Sequence, residues 1–260
     1  MDLESRYKFA LDIAGKLSDY QMSFNAKEIG IERKSDKSPV TEADKRSEQM
    51  FREAVKESFP GDCVFGEEHE GSEFSETRWV IDPIDGTRKF MRGLPFWGIC
   101  IAFECAGSID MGVIAVPGAN KVWSAIKNKG AWCDGKKIQV DNSIKKIPES
   151  FITMPSRKHF VDEGLDHIYD PMQKEIEHDP GFLDAYSYGM LGDGRINAVV
   201  SCADQWWDIA AAVCVVEEAG GVFTDAKGNK PCTGGLNVAA SASLHEPIME
   251  FIEKRQKNRD

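Results

Sequence analysis

The chain has 260 residues, of which 42% are hydrophobic and 29% charged, with a formal net charge of −11 at pH 7. This is the composition of a globular chain long enough for one large α/β or α+β domain, or for two intimate halves. The acidic balance excludes a general binder of nucleic-acid backbones, which needs a basic stripe, but not a binder of small phosphorylated molecules, because a bound cation inverts the local field.

The first segment, "MDLESRYKFALDIAGKL", reads as an amphipathic helix over about 3–24 with Tyr7, Ala10, Leu11, Ala14 and Leu17 on one face, and not as a signal peptide. A polar stretch, "IERKSDKSPVTEAD", follows. Thr41 or its neighbour then caps a helix over about 42–58 with Ala43, Phe51, Ala54 and Val55 inward, stopped by "FPGD". "CVFGEE" and "RWVIDPIDGT" read as strands that each end in acids. Further strands are expected in "FWGICIAFE", "SIDMGVIAVP", "KVWSAIKN" and "GAWCDGKKIQV", with a hairpin at Asp134-Gly135. From about 150 the pattern alternates "SFITMP", a polar helical stretch over 158–177, "AVVSCA", the helix "WWDIAAAVCVVEEAGG", "VFTD" and "NVAAS". A single domain over 1–260 is expected, with an N-terminal α+β half to about 145 and a C-terminal α/β half after it.

The longest apolar run, 94–103, is closed by Glu104 and is too short to span a bilayer, so no membrane association is expected. Seven scattered cysteines, without a CxxC pair, fit a reduced cytoplasmic protein. The five histidines show no ligand pairing, which argues against a Cys/His zinc site.

Acids punctuate the apolar segments at Asp44, at Glu67-Glu68, at Asp82 and Asp85, and at Asp208 inside "WWDIAAAV". Each has an ordinary reading alone: Asp208 as a helix cap, "DPIDGT" as a turn, "GEE" as solvated surface. Together they do not. Two carboxylates about 4 Å apart repel by roughly 4 kcal/mol at an effective dielectric of 20. A pocket collecting Glu67, Asp82, Asp85 and Asp208 therefore needs compensation, and a hard divalent cation such as Mg2+ supplies it.

"GEE" (66–68), "WVIDPIDGT" (79–87) and "WWDIAAAVCVVEEAGG" (206–221), in this order, resemble the three signatures of the inositol monophosphatase superfamily of metal-dependent, lithium-sensitive phosphatases. The resemblance implies a layered αβαβα sandwich of the inositol monophosphatase / fructose-1,6-bisphosphatase type, usually a homodimer. It also implies two to three Mg2+ ions. Glu67, Asp82 and the Ile84 carbonyl would hold the first; Asp82, Asp85 and Asp208 the second; a looser third would lean on Glu67. Asp85, Gly86 and Thr87 would receive the phosphate. Thr87 with Asp44 would orient and deprotonate the attacking water, without a phosphoenzyme. Glu68 would act through a water or from behind the ligands. Lys34 or Lys37 would supply the lysine that the family keeps upstream.

"RKFMRGLPFWGICIAFE" and "FLDAYSYGMLGDGRINAVV" look like the histidinol-phosphate phosphatase branch, in which an acid and an aromatic correspond to Asp184 and Tyr186. Asp184 and Asp204 are expected to meet the substrate amine, with Ser201 at the position where inositol enzymes carry a ring-binding acid. Trp97 or Trp206 would lie near the imidazole, unless each is simply core. Arg92 would brace the carboxylates or a subunit contact, or lie on the surface. Inositol-1-phosphate or a sugar phosphate such as fructose bisphosphate is the alternative substrate, and a non-catalytic metal-binding relative the remote one.

Overall fold

The computed structural model describes residues 2–24, 31–33, 39–69 and 75–257. Its first half comprises α1 (Leu3–Met22), β1 (Ile31–Arg33), β2 (Pro39–Thr41), α2 (Glu42–Ser58), β3 (Cys63–Gly66), β4 (Thr77–Asp85) and the single turn α3 (Thr87–Phe90). A meander follows: β5 (Gly98–Cys105), β6 (Ser108–Val116), β7 (Lys121–Ile126), β8 (Gly130–Cys133) and β9 (Lys136–Ile138). The second half holds β10 (Ile152–Thr153), α4 (Arg157–Asp162), α5 (Asp166–Glu175), α6 (Ala185–Gly192), β11 (Ala198–Cys202), α7 (Trp206–Glu218), β12 (Gly221–Asp225), β13 (Leu236–Ser241) and α8 (Ala242–Lys257).

Strands β3 to β9 form one seven-stranded sheet in sequence order, antiparallel except for the parallel β3–β4 pair. A second, four-stranded sheet runs β10-β11-β13-β12. The period-2 alternation of the strands divides their side chains between cores. In β5, Ile99, Ile101 and Phe103 face α1 and α2, where Ala10, Ile13, Leu17, Phe51 and Val55 meet them. Cys100 and Ala102 face the opposite way, onto α6 and α7. In β11, Val199 joins that same central core, while Ala198 and Val200 pack on the outer layer with Phe160, Ile168, Leu244 and Ile248. The order of layers is therefore helix, sheet, helix, sheet, helix, as expected. Because α7 lies between two sheets, it is apolar all round, and Ile209 to Val216 are buried.

Thr41 caps α2 with a capping box to Asp44. Asp134 and Gly135, both at positive φ, make the β8–β9 hairpin. Two expectations change. The helical stretch 158–177 is two helices, because the Leu165 N–H returns to the Phe160 carbonyl and the Gly164 N–H to Val161, closing α4. The last helix, α8, has no counterpart among the expected elements, although Leu244, Ile248, Phe251 and Ile252 bury one stripe. No helix among the described residues is long and apolar enough to cross a membrane.

Candidate active site

The site forms where β4 leaves the sheet. In a regular strand, residues three apart point to opposite faces. Here the pairing with β5 shifts between Asp82, opposite Cys100, and Asp85, opposite Gly98, so three steps on β4 match two on β5. This bulge carries Pro83, which has no N–H to give a ladder, and it brings both acids to one side. The Ile84 N–H donates to Asp82 Oδ1 at 2.9 Å, fixing that carboxylate over the bulge.

Parallel pairing of β3 with β4 ends at Gly66 opposite Ile81, so Glu67 emerges beside Asp82. From the central layer, α7 contributes Asp208 in its first turn, where Oδ2 accepts the Gln205 N–H at 2.7 Å. Asp208 is thus both part of a capping box and a member of the acidic cluster. One carboxylate oxygen from each of Asp82, Asp85 and Asp208 lies within 4.8 Å of the others. Asp85 Oδ2 also accepts the Ala185 N–H, which ties the cluster to the start of α6.

Gly86 follows at φ 88°, a left-handed conformation that frees the next residues to start α3. Thr87 then stands with its hydroxyl within reach of both the Ile84 carbonyl and the carboxylate of Asp44, which is fully buried on α2. Helical bonding begins only with the Lys89 and Phe90 N–H groups donating to Gly86 O, so the turn Gly86–Arg88 presents the amides that a helix start leaves over.

The electrostatics fit a cation. Burial, then Glu67 and Asp85, raise Asp82 well above the usual carboxylate range. Burial, then Asp184 and Asp208, do the same to Asp85, against the Ala185 N–H and Lys89. Asp208 is pushed up to about 8, chiefly by burial. Asp44 is pushed up to about 6 by burial, against its bonds from Thr41. Lys89, the cation that acts on Asp85, is paired with Asp184. Converging hard oxygen donors, without a matching side-chain cation among the described residues, suit Mg2+.

A cavity of about 550 Å3 opens over this floor, lined by Glu67, Asp85, Gly86, Thr87 and Asp208 and, from the second half, by His159, Phe182, Asp184, Tyr188 and Asp204. Asp204 follows Ala203, held at φ 66°, and accepts from Ser201 Oγ at 2.5 Å and Asn237 Nδ2 at 3.3 Å. Burial pushes it up to about 6.

The cavity wall departs from expectation at several residues. Ser201 is buried behind the wall, its hydroxyl bonded to Asp204 and shared with Tyr188 at 3.0 Å, so it reaches the cavity only through those two residues. Tyr186 turns away to Phe96 and Trp123; Tyr188, two residues on and therefore on another face of α6, is the aromatic at the wall. Trp97 packs on Phe90 in a small core, and Trp206 donates to Glu104 outside the cavity. Phe182 takes the place expected of a tryptophan. Arg92 is exposed. The Glu68 N–H donates into α2, at Glu48. Lys34 and Lys37 lie outside the described residues. His159, Phe182 and Lys89 escaped the sequence reading; "RKF" directly after the Thr87 turn was the available sign for Lys89.

A model of the inositol monophosphatase family matches residues 2–258. A histidinol-phosphatase from Chlorobaculum parvum is 32% identical over 249 residues, covering 95% of both chains. A fructose-1,6-bisphosphatase/inositol-1-monophosphatase from Thermotoga maritima is 26% identical and covers 96% of both. Among solved structures, the Thermotoga maritima IMPase superposes with a TM-score of 0.88 at 25% identity, covering 98% of this chain and all (100%) of that one.

Proposed function

The chain belongs to the inositol monophosphatase family and is a Mg2+-dependent phosphoric monoester hydrolase; from that premise we propose that its substrate is histidinol phosphate, released as histidinol and phosphate. The observation that carries this reading is Asp204. It is a half-buried acid on the cavity wall whose hydrogen-bond partners, Ser201 and Asn237, are neutral. A carboxylate in such a place is stabilised by a cationic group, which histidinol phosphate brings as its ammonium and a neutral polyol phosphate does not. Phe182 offers an apolar surface for the imidazole, and the 32% identity to a histidinol-phosphatase agrees.

In this reading Glu67, Asp82, the Ile84 carbonyl, Asp85 and Asp208 would hold two to three Mg2+ ions, which would supply Lewis acidity to a water and to the leaving alkoxide oxygen. The chain's own groups do the rest. The turn Asp85–Gly86–Thr87 directs its amides at the phosphate. Thr87, backed by Asp44, orients the attacking water and passes its proton to the buried carboxylate. Asp184, neutralised by Lys89, shapes the wall beside Gly86 and meets the polar side of the substrate. Lithium sensitivity, a homodimer and a cytoplasmic setting belong to the same proposal.

Hydrolysis of inositol-1-phosphate or a fructose bisphosphate-like ester is the second reading, favoured by the 26% identical relative. Measuring kcat/KM for histidinol phosphate and inositol-1-phosphate side by side separates the two. A clear preference for the amine substrate is expected; equal or inverted values would remove the assignment.

A further inference from the structure

Helix α2 holds a second buried acid one turn beyond Asp44. Residues four apart share a helix face, so Asp44 and Glu48 both look toward the catalytic loops. The Glu48 side chain is fully buried (0% exposed), and Arg52, one turn later, pairs with it at 2.7 Å. The Glu48 carboxylate accepts the Glu68 N–H at 2.6 Å, the His69 N–H at 3.2 Å and Arg52 Nε at 2.8 Å. Arg52 in turn donates to the Val64 carbonyl at 3.0 Å and the His69 carbonyl at 2.9 Å. One ion pair thus grips the chain on both sides of Glu67. The grip needs Gly66, because a Cβ there would lie 2.6 Å from Glu48 Oε1.

We propose that the Glu48–Arg52 pair is a positioning device for Glu67, setting the turn so that its carboxylate meets the Asp82 cluster and thereby tuning the affinity for a divalent cation. Together with Asp44, which holds Thr87, it makes α2 the element that registers the strand-β3 acid against the strand-β4 turn. A purely structural ion pair is the competing account, and buried pairs are weak stabilisers in general. The bonds here converge on the end of β3 and the turn after it, and every backbone group they take lies within 64–69.

That role rests on Glu67 being a cation ligand, as proposed above, and one experiment separates the two. Mn2+ standing in for Mg2+ is titrated into the full-length wild type, Glu48→Gln, Arg52→Gln and Glu67→Gln, with free Mn2+ read by EPR and folding by circular dichroism. Glu48→Gln is expected to weaken Mn2+ by about 10-fold or more, the usual loss when a group behind a ligand is removed. Its kcat at saturating Mg2+ should fall less than its half-saturating Mg2+ concentration rises. Arg52→Gln, at a side chain partly in solvent, should show a smaller loss in the same direction and gives the reading if Glu48→Gln does not fold. Folded variants at positions 48 and 52 that bind Mn2+ like the wild type, while Glu67→Gln binds weakly, overturn the positioning role alone. Unchanged binding in Glu67→Gln overturns the ligand assignment beneath it.

Discussion

The hydroxyl of Thr87 lies 3.3 Å from Asp44 Oδ1 and 3.2 Å from the Ile84 carbonyl, joining α2 to the turn after β4. The hydroxyl has one proton, so donating to either oxygen leaves its lone pairs open to a water. Thr87→Val should lower kcat by about 10²–10⁴-fold, the range for a positioned proton-transfer group, with little change in Mg2+ dependence. Thr87→Ser, which keeps the hydroxyl, should retain most of the activity. Steady-state kinetics at several Mg2+ concentrations read both.

The cluster also sets how the metal-free protein responds to pH. Asp44 at about 6 and Asp208 at about 8 bind protons in the folded state more tightly than in the unfolded chain. Over that interval the folded state holds more protons, so the stability they contribute is present at low pH and lost as pH rises through the folded values. Thermal unfolding in chelator should therefore show Tm falling between about pH 4, the ordinary carboxylate value, and pH 8. Added Mg2+ should raise Tm most at the alkaline end. A metal-free Tm that climbs across this window would contradict the reading.

Asp204 separates substrate recognition from chemistry. Asp204→Asn keeps the shape and both hydrogen-bonding neighbours but removes the charge. A hydrogen bond to a charged group is worth about 1.5–3 kcal/mol, so KM for histidinol phosphate should rise by about one to two orders of magnitude. The rate with a neutral phosphate ester should barely move. Parallel kinetics on the two esters check this.

Gly86 sits at φ 88°, and a Cβ there would run into the Asp184 carboxylate. Gly86→Ala should therefore cost more than about 1 kcal/mol of stability and displace the Lys89–Asp184 pair. Denaturant unfolding measures the first effect. A loss of kcat/KM larger than the fold requires would reflect the displaced turn.

The layers and the floor of the site were legible because local chemistry specifies them. The alternation in β5 and β6, the capping box at Thr41 and the acids of "GEE", "DPIDGT" and "WWD" are all local patterns. What could not be read are contacts made by the fold. That Asp82 and Asp85 share a side depends on a bulge against Gly98 and Cys100, which no window around Pro83 reveals. His159, in the polar helical stretch over 158–177, and Phe182, at the head of "FLDAYSYGMLGDGRINAVV", reach the cavity through the fold, with no local pattern that marks either as lining. Tyr186 and Tyr188 differ only in the face of α6 they occupy, and α6 itself, short and apolar, lacks a periodic stripe. The resemblance puts Ser201 at the wall, where inositol enzymes carry a ring-binding acid; the turn at Ala203 instead carries Asp204 forward and leaves Ser201 behind it. In α8 the stripe was present, but Pro247 and the charged tail obscured it.

Isothermal titration of Mg2+ into the metal-free protein at pH 7, repeated in two buffers of different ionisation enthalpy, asks most directly whether divalent ions hold these acids together. Asp208, at about 8, carries at pH 7 a proton that a cation must displace, and burial shifts Asp82 and Asp85 upward beside it. Saturable binding with a buffer-dependent heat, equivalent to about one proton or more released per chain, is the expected result. Absence of saturable binding, or binding whose heat is the same in both buffers and survives Asp85→Asn unchanged, would contradict it.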